Sequence, residues 1–572
     1  MEIFRRLGKF KYRIALVILL TFGNALGELF LPRLMSLVVD LGVARGDTAY
    51  ILRMGQLMLL VVFATVLCRG AAAYHSSKVA MAYSADVRYD LFSKINRLTV
   101  NETEYFGISS LITRSTDDVN QVEQMVLMGL RPLVRGPLMF VGGLIMALTT
   151  NLKLSLVFPI SIPFISLGIY LVIRSAVPYF PVLQRRLDRL NQLFRRRLTG
   201  IRVTRAFSRD DLEEEIFTEA NQDYYEMALR VNKIIINVIP ILGIFLNVAL
   251  VLVMYFGAQL ISLDQLAVGE LMAFIQYITQ VLMALIMLSF LITMIPRTWA
   301  SMVRINEVLN YPTHDTGGCQ DLKEDLVHIE AKNLTFAYPQ AKRPVLQNLS
   351  FSLDRGQTLG VIGGTGSGKS TLLRLFLQFY NPTGGQLLLN GKDIQDLNSQ
   401  DVRRQMSYVP QKNFFFSKTV GENLLYSNQD ALEEDLREAL GQAQALEFLG
   451  QDPLDQEMTR GGTNFSGGQR QRLSIARALN RKAQVYLFDD SFSALDSLTD
   501  RKVRQGLLEK TKDAMVIIVA QRVATIRSAD KILVLEDGEM VGYGTHQDLL
   551  RDNPVYREIA LSQGEEAEDE GK

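Results

Sequence analysis

The sequence has few cysteines and almost no net charge, and each absence excludes a class of protein. The 572 residues include two cysteines, Cys68 and Cys319, which are too few and too far apart for a disulfide framework. We therefore expect two free thiols in a reducing compartment. The formal net charge is only +1, which gives no general argument for binding nucleic acid. Low-complexity sequence is confined to the acidic tail GEEAEDEGK, which is expected to be solvated and disordered.

Apolar residues, by contrast, are abundant. They make up 48% of the chain, which is rare for a soluble protein, so part of the chain is expected to lie in lipid. The length also exceeds one domain, since domains usually contain about 100–200 residues.

Six apolar stretches occupy the first half of the chain, and each approaches the roughly 20 residues that cross a bilayer as a helix. Core helices of a soluble protein would be shorter and amphipathic. No small-residue cleavage site follows the first stretch, so a removed signal peptide is not expected. The predicted spans are 14–38, 55–75, 133–150, 154–174, 232–261 and 271–296.

Basic residues predict the orientation of these spans. Lys and Arg precede the first span and are frequent in the long connections 76–132 and 175–231, whereas the loops after spans one, three and five contain few. Both termini and both long connections are therefore predicted to be cytoplasmic. The connections are too long for loops, so we expect the helices to continue well beyond the membrane.

A few polar residues interrupt the spans: Asn24 and Glu28 in the first, and Gln276 and Gln280 in the sixth. An ionisable residue inside a span suggests a functional site, because placing it in lipid is costly. Glu28 could equally face a helix partner and do no more than pack. Both interpretations stay open, and these four residues are only guesses at substrate contacts.

From about residue 325 the pattern changes to short apolar runs and turns, which is typical of an α/β domain. The run LGVI is followed by GGTGSGKS (363–370), which matches the phosphate-loop pattern G-x-x-x-x-G-K-S between a strand and a helix. Its glycines allow the backbone to approach phosphate oxygens. Lys369 supplies charge for the β- and γ-phosphates, and Ser370 can ligate Mg²⁺.

Further motifs complete a nucleotide site. The buried-strand run VYLFDD (485–490) places Asp489 where it would hold Mg²⁺. The segment NFSGGQRQRLSIARAL (464–479) predicts a second anion cradle at Ser466. YVPQ ends in Gln411, and Tyr338 in LTFAYP could stack on adenine.

In order and spacing, Tyr338, GGTGSGKST, Gln411, FSGGQ, FDD and SALD resemble the ATP-binding cassette. The six spans with long extensions resemble the membrane domain of the type I ABC exporters, the type IV fold, and the likeness covers nearly the whole chain. It implies an α-helical six-span membrane domain with long intracellular helical extensions, fused to a cytoplasmic α/β P-loop cassette domain. The predicted boundaries are 1–300 for the membrane domain, 301–326 for a linker, 327–560 for the cassette and 561–572 for the tail.

The resemblance also implies ATP and Mg²⁺ as ligands and a second ABC half-transporter as partner. Each ATP would lie between the phosphate loop of one chain and the SGGQ motif of the other, and short coupling helices in the two long connections would touch the cassettes. The implied metal ligands are Ser370, Gln411 and Asp489. The implied nucleotide contacts are Tyr338, Gly363, Gly364, Thr365, Gly366, Ser367, Gly368, Lys369, Ser370, Thr371, Ser466, Gly467, Gly468, Gln469 and Asp496.

Two positions depart from the family pattern. Asp490 stands where a glutamate usually polarises the attacking water, and its carboxylate is withdrawn by about 1.5 Å. Displacements of that size can cost roughly a hundredfold in rate. Gln521 stands where the family has its switch histidine, and no other histidine is near it in the sequence. Arg196 and Arg460 also replace commonly occurring glutamates, while FSGGQ is intact.

This combination predicts the degenerate-site subunit of a bacterial, heterodimeric, multidrug-type ABC exporter, multi-pass in the cell membrane. Its own catalytic positions, Asp490, Gln521 and Gln411, would hydrolyse ATP weakly, and its signature motif would serve the partner's competent site. Amphipathic or drug-like compounds are the expected substrates, with lipids or peptides as further options.

Four alternatives remain open at the sequence level: a slow homodimeric exporter, a regulatory or channel-like membrane ATPase, a nucleotide-binding interaction module, and an importer. The short linker disfavours the second, and the six spans disfavour the third. Importers usually carry the two domains on separate chains. No peptidase domain precedes the first span, so leader-peptide processing is not expected.

Overall fold

A computed structural model describes residues 6–312, 317–339 and 341–564. Of the tail predicted as disordered over 561–572, residues 565–572 lie outside the described ranges, whereas Leu561 and Ser562 still belong to the helix Pro554–Ser562. The chain forms two compact units. The first contains the residues up to Asn96 together with Ile108–Tyr311, and the second contains Arg97–Gly107 together with the chain from Pro312 onward.

Long helices form the first unit. Most of them have apolar sequences, whereas Phe180–Ala206 and Asp210–Ile236 are rich in charged residues. In chain order, with the short α3 belonging to the second unit, the helices are α1 Lys11–Leu37, α2 Thr48–Ile95, α3 Val100–Phe106, α4 Ile108–Thr113, α5 Val119–Leu130, α6 Pro132–Thr150, α7 Val157–Ala176, α8 Phe180–Ala206, α9 Asp210–Ile236, α10 Val238–Ser262 and α11 Val268–Leu309. At a rise of about 1.5 Å per residue, the 48 residues of α2 are far longer than a hydrocarbon core of about 30 Å.

Five helical segments in the described residues are long and apolar enough to cross a membrane: Leu7–Val43, Thr48–Ile95, Ile108–Thr150, Gly243–Ser262 and Val268–Leu288. A sixth, shorter apolar helix covers Leu154–Gly168. These segments coincide with the six predicted spans. The helix α11 continues to Leu309, so the start of the predicted linker 301–326 is helical.

Small residues let the membrane helices pack closely. A Cβ on Gly142 of α6 would lie 2.4 Å from Cδ1 of Leu29 in α1, and a Cβ on Gly143 would lie 2.7 Å from Cγ2 of Val281 in α11. Close packing of this kind is the main source of helix association in lipid, where no hydrophobic effect acts between helices. The three helices α1, α6 and α11 are therefore in direct contact.

The helices α8 and α9, which form the predicted cytoplasmic connection 175–231, are joined by ion pairs. Arg196 donates to Glu213 at 2.8 Å, and Arg197 donates to Asp210 at 2.9 Å. Arg196, which replaces a commonly occurring glutamate, thus has a carboxylate partner on the adjacent helix.

The second unit is built on one ten-stranded sheet flanked by helices. The elements after α11 are β1 His328–Phe336, β2 Leu346–Asp354, β3 Thr358–Gly363, α12 Lys369–Phe376, β4 Gly384–Leu389, β5 Lys392–Asp393, α13 Ser399–Arg404, β6 Met406–Val409, α14 Val420–Leu425, α15 Glu433–Gln442, α16 Gly467–Leu479, β7 Val485–Asp489, α17 Ser497–Lys510, β8 Met515–Val519, α18 Val523–Ile526, β9 Lys531–Glu536, β10 Glu539–Gly544, α19 His546–Asp552 and α20 Pro554–Ser562.

The strand order is β5-β4-β1-β2-β10-β9-β3-β8-β7-β6. The five strands from β9 to β6 are parallel, while β1, β2, β4 and β5 pair antiparallel. Strands β7 and β8 are buried along their whole length, which explains their unbroken apolar sequences. The carboxyl ends of β3 and β7 meet at one edge of the sheet, where ligands bind in open α/β folds. The predicted fold class, helical membrane domain plus P-loop cassette, is confirmed.

Candidate active site

The phosphate loop connects β3 to α12 in a conformation that excludes side chains at two positions. A Cβ on Gly363 would lie 2.1 Å from the carbonyl oxygen of Leu535, and Gly368 has a φ of +95° with Leu346 only 2.5 Å from its Cβ position. Gly364, Thr365 and Gly366 between them are exposed. The loop therefore presents backbone to a ligand, as the motif predicts.

Lys369 begins α12 beneath this loop. Its Nζ donates to the carbonyl oxygens of Gly363 at 2.8 Å and Gly364 at 2.7 Å, and lies 3.4 Å from Oγ of Ser367. Burial lowers the pKa of Lys369, while the charges of Asp490 and Asp489 oppose that shift. A buried ammonium held by these uncharged oxygens can exchange them for a charged acceptor, such as a phosphate oxygen.

Asp489 ends β7 with both carboxylate oxygens in hydrogen bonds. Ser370 donates from Oγ to Oδ1 at 2.7 Å, and Tyr408 donates from its hydroxyl to Oδ2 at 3.3 Å. Burial raises the pKa of Asp489, and these two hydrogen bonds partly oppose the shift. The hydroxyl and carboxylate of Ser370 and Asp489 are oxygen donors of the kind Mg²⁺ prefers.

The oxygen atoms of Ser370 and Asp489 suit Mg²⁺ better than a metal whose ligands all come from the protein. Among the described residues, no group of three His, Cys, Asp or Glu side chains could hold a metal ion. Mg²⁺ usually takes one or two protein ligands and completes its shell with water and substrate phosphates. Two oxygen ligands next to a phosphate loop match that pattern.

Asp490 has an unusual backbone and two amide partners. Its φ is +50°, in the left-handed region, where aspartate is among the few non-glycine residues found more often. Its Oδ2 accepts hydrogen bonds from Nε2 of Gln521 at 2.9 Å and Nε2 of Gln411 at 3.4 Å. Burial raises the pKa of Asp490, and the bond from Gln411 and the charge of Lys369 oppose the shift. The two positions that depart from the family pattern are thus in direct contact.

Tyr338 is fixed by its hydroxyl and by its ring. The hydroxyl lies 3.0 Å from Oγ1 of Thr371 and accepts a hydrogen bond from Arg374 at 3.1 Å. The ring meets Phe336 and Tyr380 edge to face, with centroid distances of 5.0 and 5.1 Å. This rigid support keeps the partly exposed ring beside the helix that begins with Lys369.

Tyr380 also connects this aromatic group to α3. Its hydroxyl donates to Oε2 of Glu104 at 3.0 Å, and burial together with Glu104 raises the pKa of Tyr380 to about 12. The segment Arg97–Gly107 lies in the connection where a coupling helix was expected, and it belongs to the same compact unit as the cassette.

The signature motif begins α16. Ser466 is the N-cap and accepts from the backbone N–H of Gln469, whose side chain accepts in return from the N–H of Ser466 at 2.8 Å. Ser466 and Gly467 are exposed, and the Cβ position of Gly468 is 3.0 Å from the carbonyl oxygen of Ala494. Among the described residues, the hydrogen bonds of Ser466 stay within its own helix turn and none reaches the phosphate loop.

Asp496 is the N-cap of α17. Its Oδ1 accepts from the backbone N–H groups of Thr499 and Leu498, which hold its pKa below the ordinary value. The side chain is exposed. Capping of α17 therefore explains the aspartate of the SALD motif, and a contact between Asp496 and nucleotide remains a prediction.

Three contributors to the site escaped the sequence analysis: Tyr408, Arg374 and Gln563. Tyr408 lies three residues before Gln411 and could have been noticed within YVPQ. Gln563 donates from Nε2 to the carbonyl oxygen of Gln521 at 2.8 Å and accepts from the N–H of Val523 at the same distance. No local pattern indicates a contact across about forty residues of chain.

Of the four polar residues in the spans, two lie together. Gln280 donates from Nε2 to the backbone oxygen of Glu28 at 3.3 Å, and the Glu28 carboxylate forms an ion pair with Arg135. Asn24 is buried and donates to the backbone oxygen of Thr65 at 3.2 Å, which indicates packing. Gln276 is exposed.

Comparisons with known proteins identify the family of the chain. The family model of the ABC transporter transmembrane region matches residues 14–285, and that of the ABC transporter matches residues 346–493. An uncharacterized ABC transporter ATP-binding protein of Mycobacterium tuberculosis is 38% identical over 562 residues, covering 96% of each chain. The probable multidrug resistance ABC transporter ATP-binding/permease protein YheI of Bacillus subtilis is 31% identical over 564 residues, covering 96% of this chain and 94% of YheI.

A solved structure has the same fold. A bacterial Atm1-family ABC exporter with ATP bound superposes with a TM-score of 0.81, covering 97% of this chain and 99% of that one at 22% identity.

Proposed function

Because the chain belongs to the ABC transporter family, with a multi-pass membrane domain and an ATP-hydrolysing domain on one polypeptide, we propose that it is one subunit of a heterodimeric exporter. The exporter moves amphipathic, drug-like compounds out of the cytoplasm of a bacterium, and lipids or peptides are the remaining substrate options. The exporter fold and the name of the relative YheI support this direction and this substrate class. Both termini are on the cytoplasmic side.

Residues of this chain bind ATP and Mg²⁺ in defined roles under this proposal. Tyr338 stacks on the adenine, the loop Gly363–Gly368 surrounds the phosphates, and Lys369 exchanges its carbonyl partners for phosphate oxygens. Ser370 and Asp489 hold Mg²⁺, whose bound form neutralises charge on the phosphates. Ser466 with its helix N-terminus covers the γ-phosphate bound by the partner chain.

The observation that carries the asymmetric assignment is the hydrogen bond from Gln521 to Asp490. A general base acts through a free lone pair aimed at the attacking water. Here Oδ2 of Asp490 accepts from two amides, those of Gln521 and Gln411. The Asp490 carboxylate is also shorter than that of a glutamate, which withdraws it from the position of the attacking water.

The space beside Asp490 is also small. The cavity lined by Asp490, Gln521 and their neighbours has a volume of about 10 Å³, which is at the lower limit for one water molecule. A short carboxylate engaged by two amides in so small a space activates water poorly, whereas the phosphate loop and Lys369, which would bind the nucleotide, follow the family pattern. We therefore assign slow hydrolysis to the site that contains Lys369.

The test is the ATPase rate of the full chain purified alone. We expect nucleotide binding that is lost in Lys369→Ala, together with turnover far below the median enzyme rate of about 10 per second. The same preparation supplemented with the partner chain should turn over faster. Ordinary turnover by the chain alone would favour the alternative, a homodimeric exporter with two working sites.

A further inference from the structure

Two arginines lie one helical turn apart inside the third apolar segment. Arg131 and Arg135 fall within Ile108–Thr150, and the backbone N–H of Arg135 donates to the carbonyl oxygen of Arg131 at 2.8 Å. That hydrogen bond keeps the turn helical, so the two side chains extend from the same face. They stand at the start of α6, the end at which the chain enters from the long connection 76–132.

Among the described residues, only one of these two guanidinium groups has a carboxylate partner. Glu28 of α1 pairs with Arg135, and Gln280 of α11 holds the backbone oxygen of Glu28. In the part of the chain that the structure describes, Arg131 has no ion pair or hydrogen bond through its side chain. The Nε atoms of both arginines are buried and lack an acceptor, and the Oε1 atom of Gln280 is buried without a donor.

Such an arrangement is unfavourable on its own. Arg135 lies within the predicted span 133–150, where a charge is costly, and Arg131 lies just before it. Like charges one turn apart repel, and buried donors without acceptors lose their hydration. A second anion would relieve all three effects at once. The planar guanidinium group binds carboxylates and phosphates through two parallel hydrogen bonds, which a water molecule cannot reproduce.

We propose that Arg131 and Arg135 bind the anionic head, a carboxylate or a phosphate, of an amphipathic compound that this transporter moves. Glu28 is a positioning residue that fixes Arg135, and the apolar tail of the compound lies along the surrounding span residues. The inference rests on the proposed export function and specifies its substrate class. A membrane phospholipid offers the same phosphate chemistry, so the test must separate cargo from lipid.

The test uses the full chain, assembled as it is purified from cells, in nanodiscs of phosphatidylcholine. The probes are dansyl-aminoundecanoate and its methyl ester, which differ only in the charge of the head group. We expect the acid to bind about tenfold more tightly than the ester, as fits one charge-assisted bidentate contact. In Arg131→Gln the ratio of the affinities for the acid and the ester should fall to nearly one.

Arg33→Gln is the matched control, because Arg33 lies in the same unit but has its own carboxylate, Glu270, at 3.7 Å. It should keep the tenfold preference. The double variant Glu28→Gln/Arg135→Gln removes the ion pair without leaving a buried charge alone, and it should lose part of the preference while retaining its thermal unfolding temperature. Equal binding of acid and ester by the wild type, or full preference in Arg131→Gln, would overturn the proposal.

A second arm adds phosphatidylglycerol to the nanodiscs and measures retained lipid by mass spectrometry. If Arg131→Gln loses bound phosphatidylglycerol but keeps the preference for the acid, the pair is a lipid site and the cargo assignment is wrong. ATP-dependent movement of a neutral amphipathic dye into inverted vesicles reports on export separately. In the two-chain transporter, dye transport that persists in Arg131→Gln shows that only the anion preference was removed. Absence of dye transport by the wild-type two-chain transporter would contradict the proposed function instead.

Discussion

At the scale of single residues, the site depends on how Asp490 is held. Its left-handed backbone suits aspartate better than a longer side chain, and its carboxylate is already engaged by Gln521 and Gln411. Replacing Asp490 should therefore change the ATPase rate little. In the two-chain transporter, we expect Asp490→Ala to reduce total ATPase activity less than about threefold, because the competent site does most of the hydrolysis.

Ser466→Arg is the comparison for that variant. Ser466 is exposed at the N-terminus of α16, so an arginine there should not disturb the core of this chain. It would instead block the cap over the partner's nucleotide, and turnover should fall at least a hundredfold, as for loss of a transition-state donor. Similar losses in Asp490→Ala and Ser466→Arg would show that the two sites have been assigned the wrong way round.

Asp489 gives a prediction for pH. Burial raises its folded-state pKa, so the protonated form favours the folded state. This contribution to stability is complete below the unfolded pKa of about 3.9 and is lost as pH rises through the higher folded value. Asp489→Asn removes the charge but keeps an oxygen for Ser370. We expect it to unfold at a higher temperature than the wild type at neutral pH, with the slow hydrolysis at the Lys369 site abolished.

The control for this variant is the pH series itself. The difference in unfolding temperature between Asp489→Asn and the wild type should shrink as pH falls through the folded pKa of Asp489. A difference that is constant with pH, or a lower unfolding temperature at neutral pH, would mean that hydrogen bonding from Ser370 and Tyr408 outweighs the cost of burial.

At the scale of elements, the end of α20 holds the loop that carries Gln521. Gln563 bonds the carbonyl oxygen of Gln521 and the N–H of Val523. Gln563→Ala should cost roughly 1–2 kcal/mol locally, since each hydrogen bond contributes about 1 kcal/mol. Hydrogen exchange of residues 520–523 should become faster. Ser562→Ala is the control, because its hydroxyl bonds only within its own helix, to Ile559. Equal exchange in both variants would contradict this role.

Elements differ in how far the sequence predicts them. The phosphate loop and β7 follow from a strict local motif and an apolar run, and both are present. Of the six predicted spans, five overlap described helices long and apolar enough to cross a membrane, and the fourth overlaps a shorter apolar helix. The contacts of Gln563 with Gln521 and of Tyr380 with Glu104 are not predictable in this way, because they join residues distant in the chain. The same holds for Arg135 with Glu28: the sequence indicated the carboxylate but not the arginine that neutralises it.

At the scale of the whole molecule, a site that binds ATP but seldom hydrolyses it would stabilise the contact between two cassettes. A retained ligand that bridges both chains favours the closed dimer by mass action. We predict that Asp490→Glu combined with Gln521→His raises hydrolysis at this site and makes the cassettes separate more often, even though the left-handed backbone at position 490 resists the longer side chain. The readout is the distribution of distances between spin labels on the two cassettes. An unchanged distribution despite faster hydrolysis would show that this site does not set the conformational equilibrium.

The most direct measurement asks which nucleotide stays at the Lys369 site during turnover. Azido-ATP labelled on either the α- or the γ-phosphate is photocrosslinked to the working two-chain transporter, and the chains are separated by electrophoresis. Slow hydrolysis predicts that this chain carries nearly as much γ-label as α-label, whereas the partner carries mostly α-label. Loss of the γ-label from this chain as fast as from its partner would contradict the assignment of a slow site to Asp490 and Gln521.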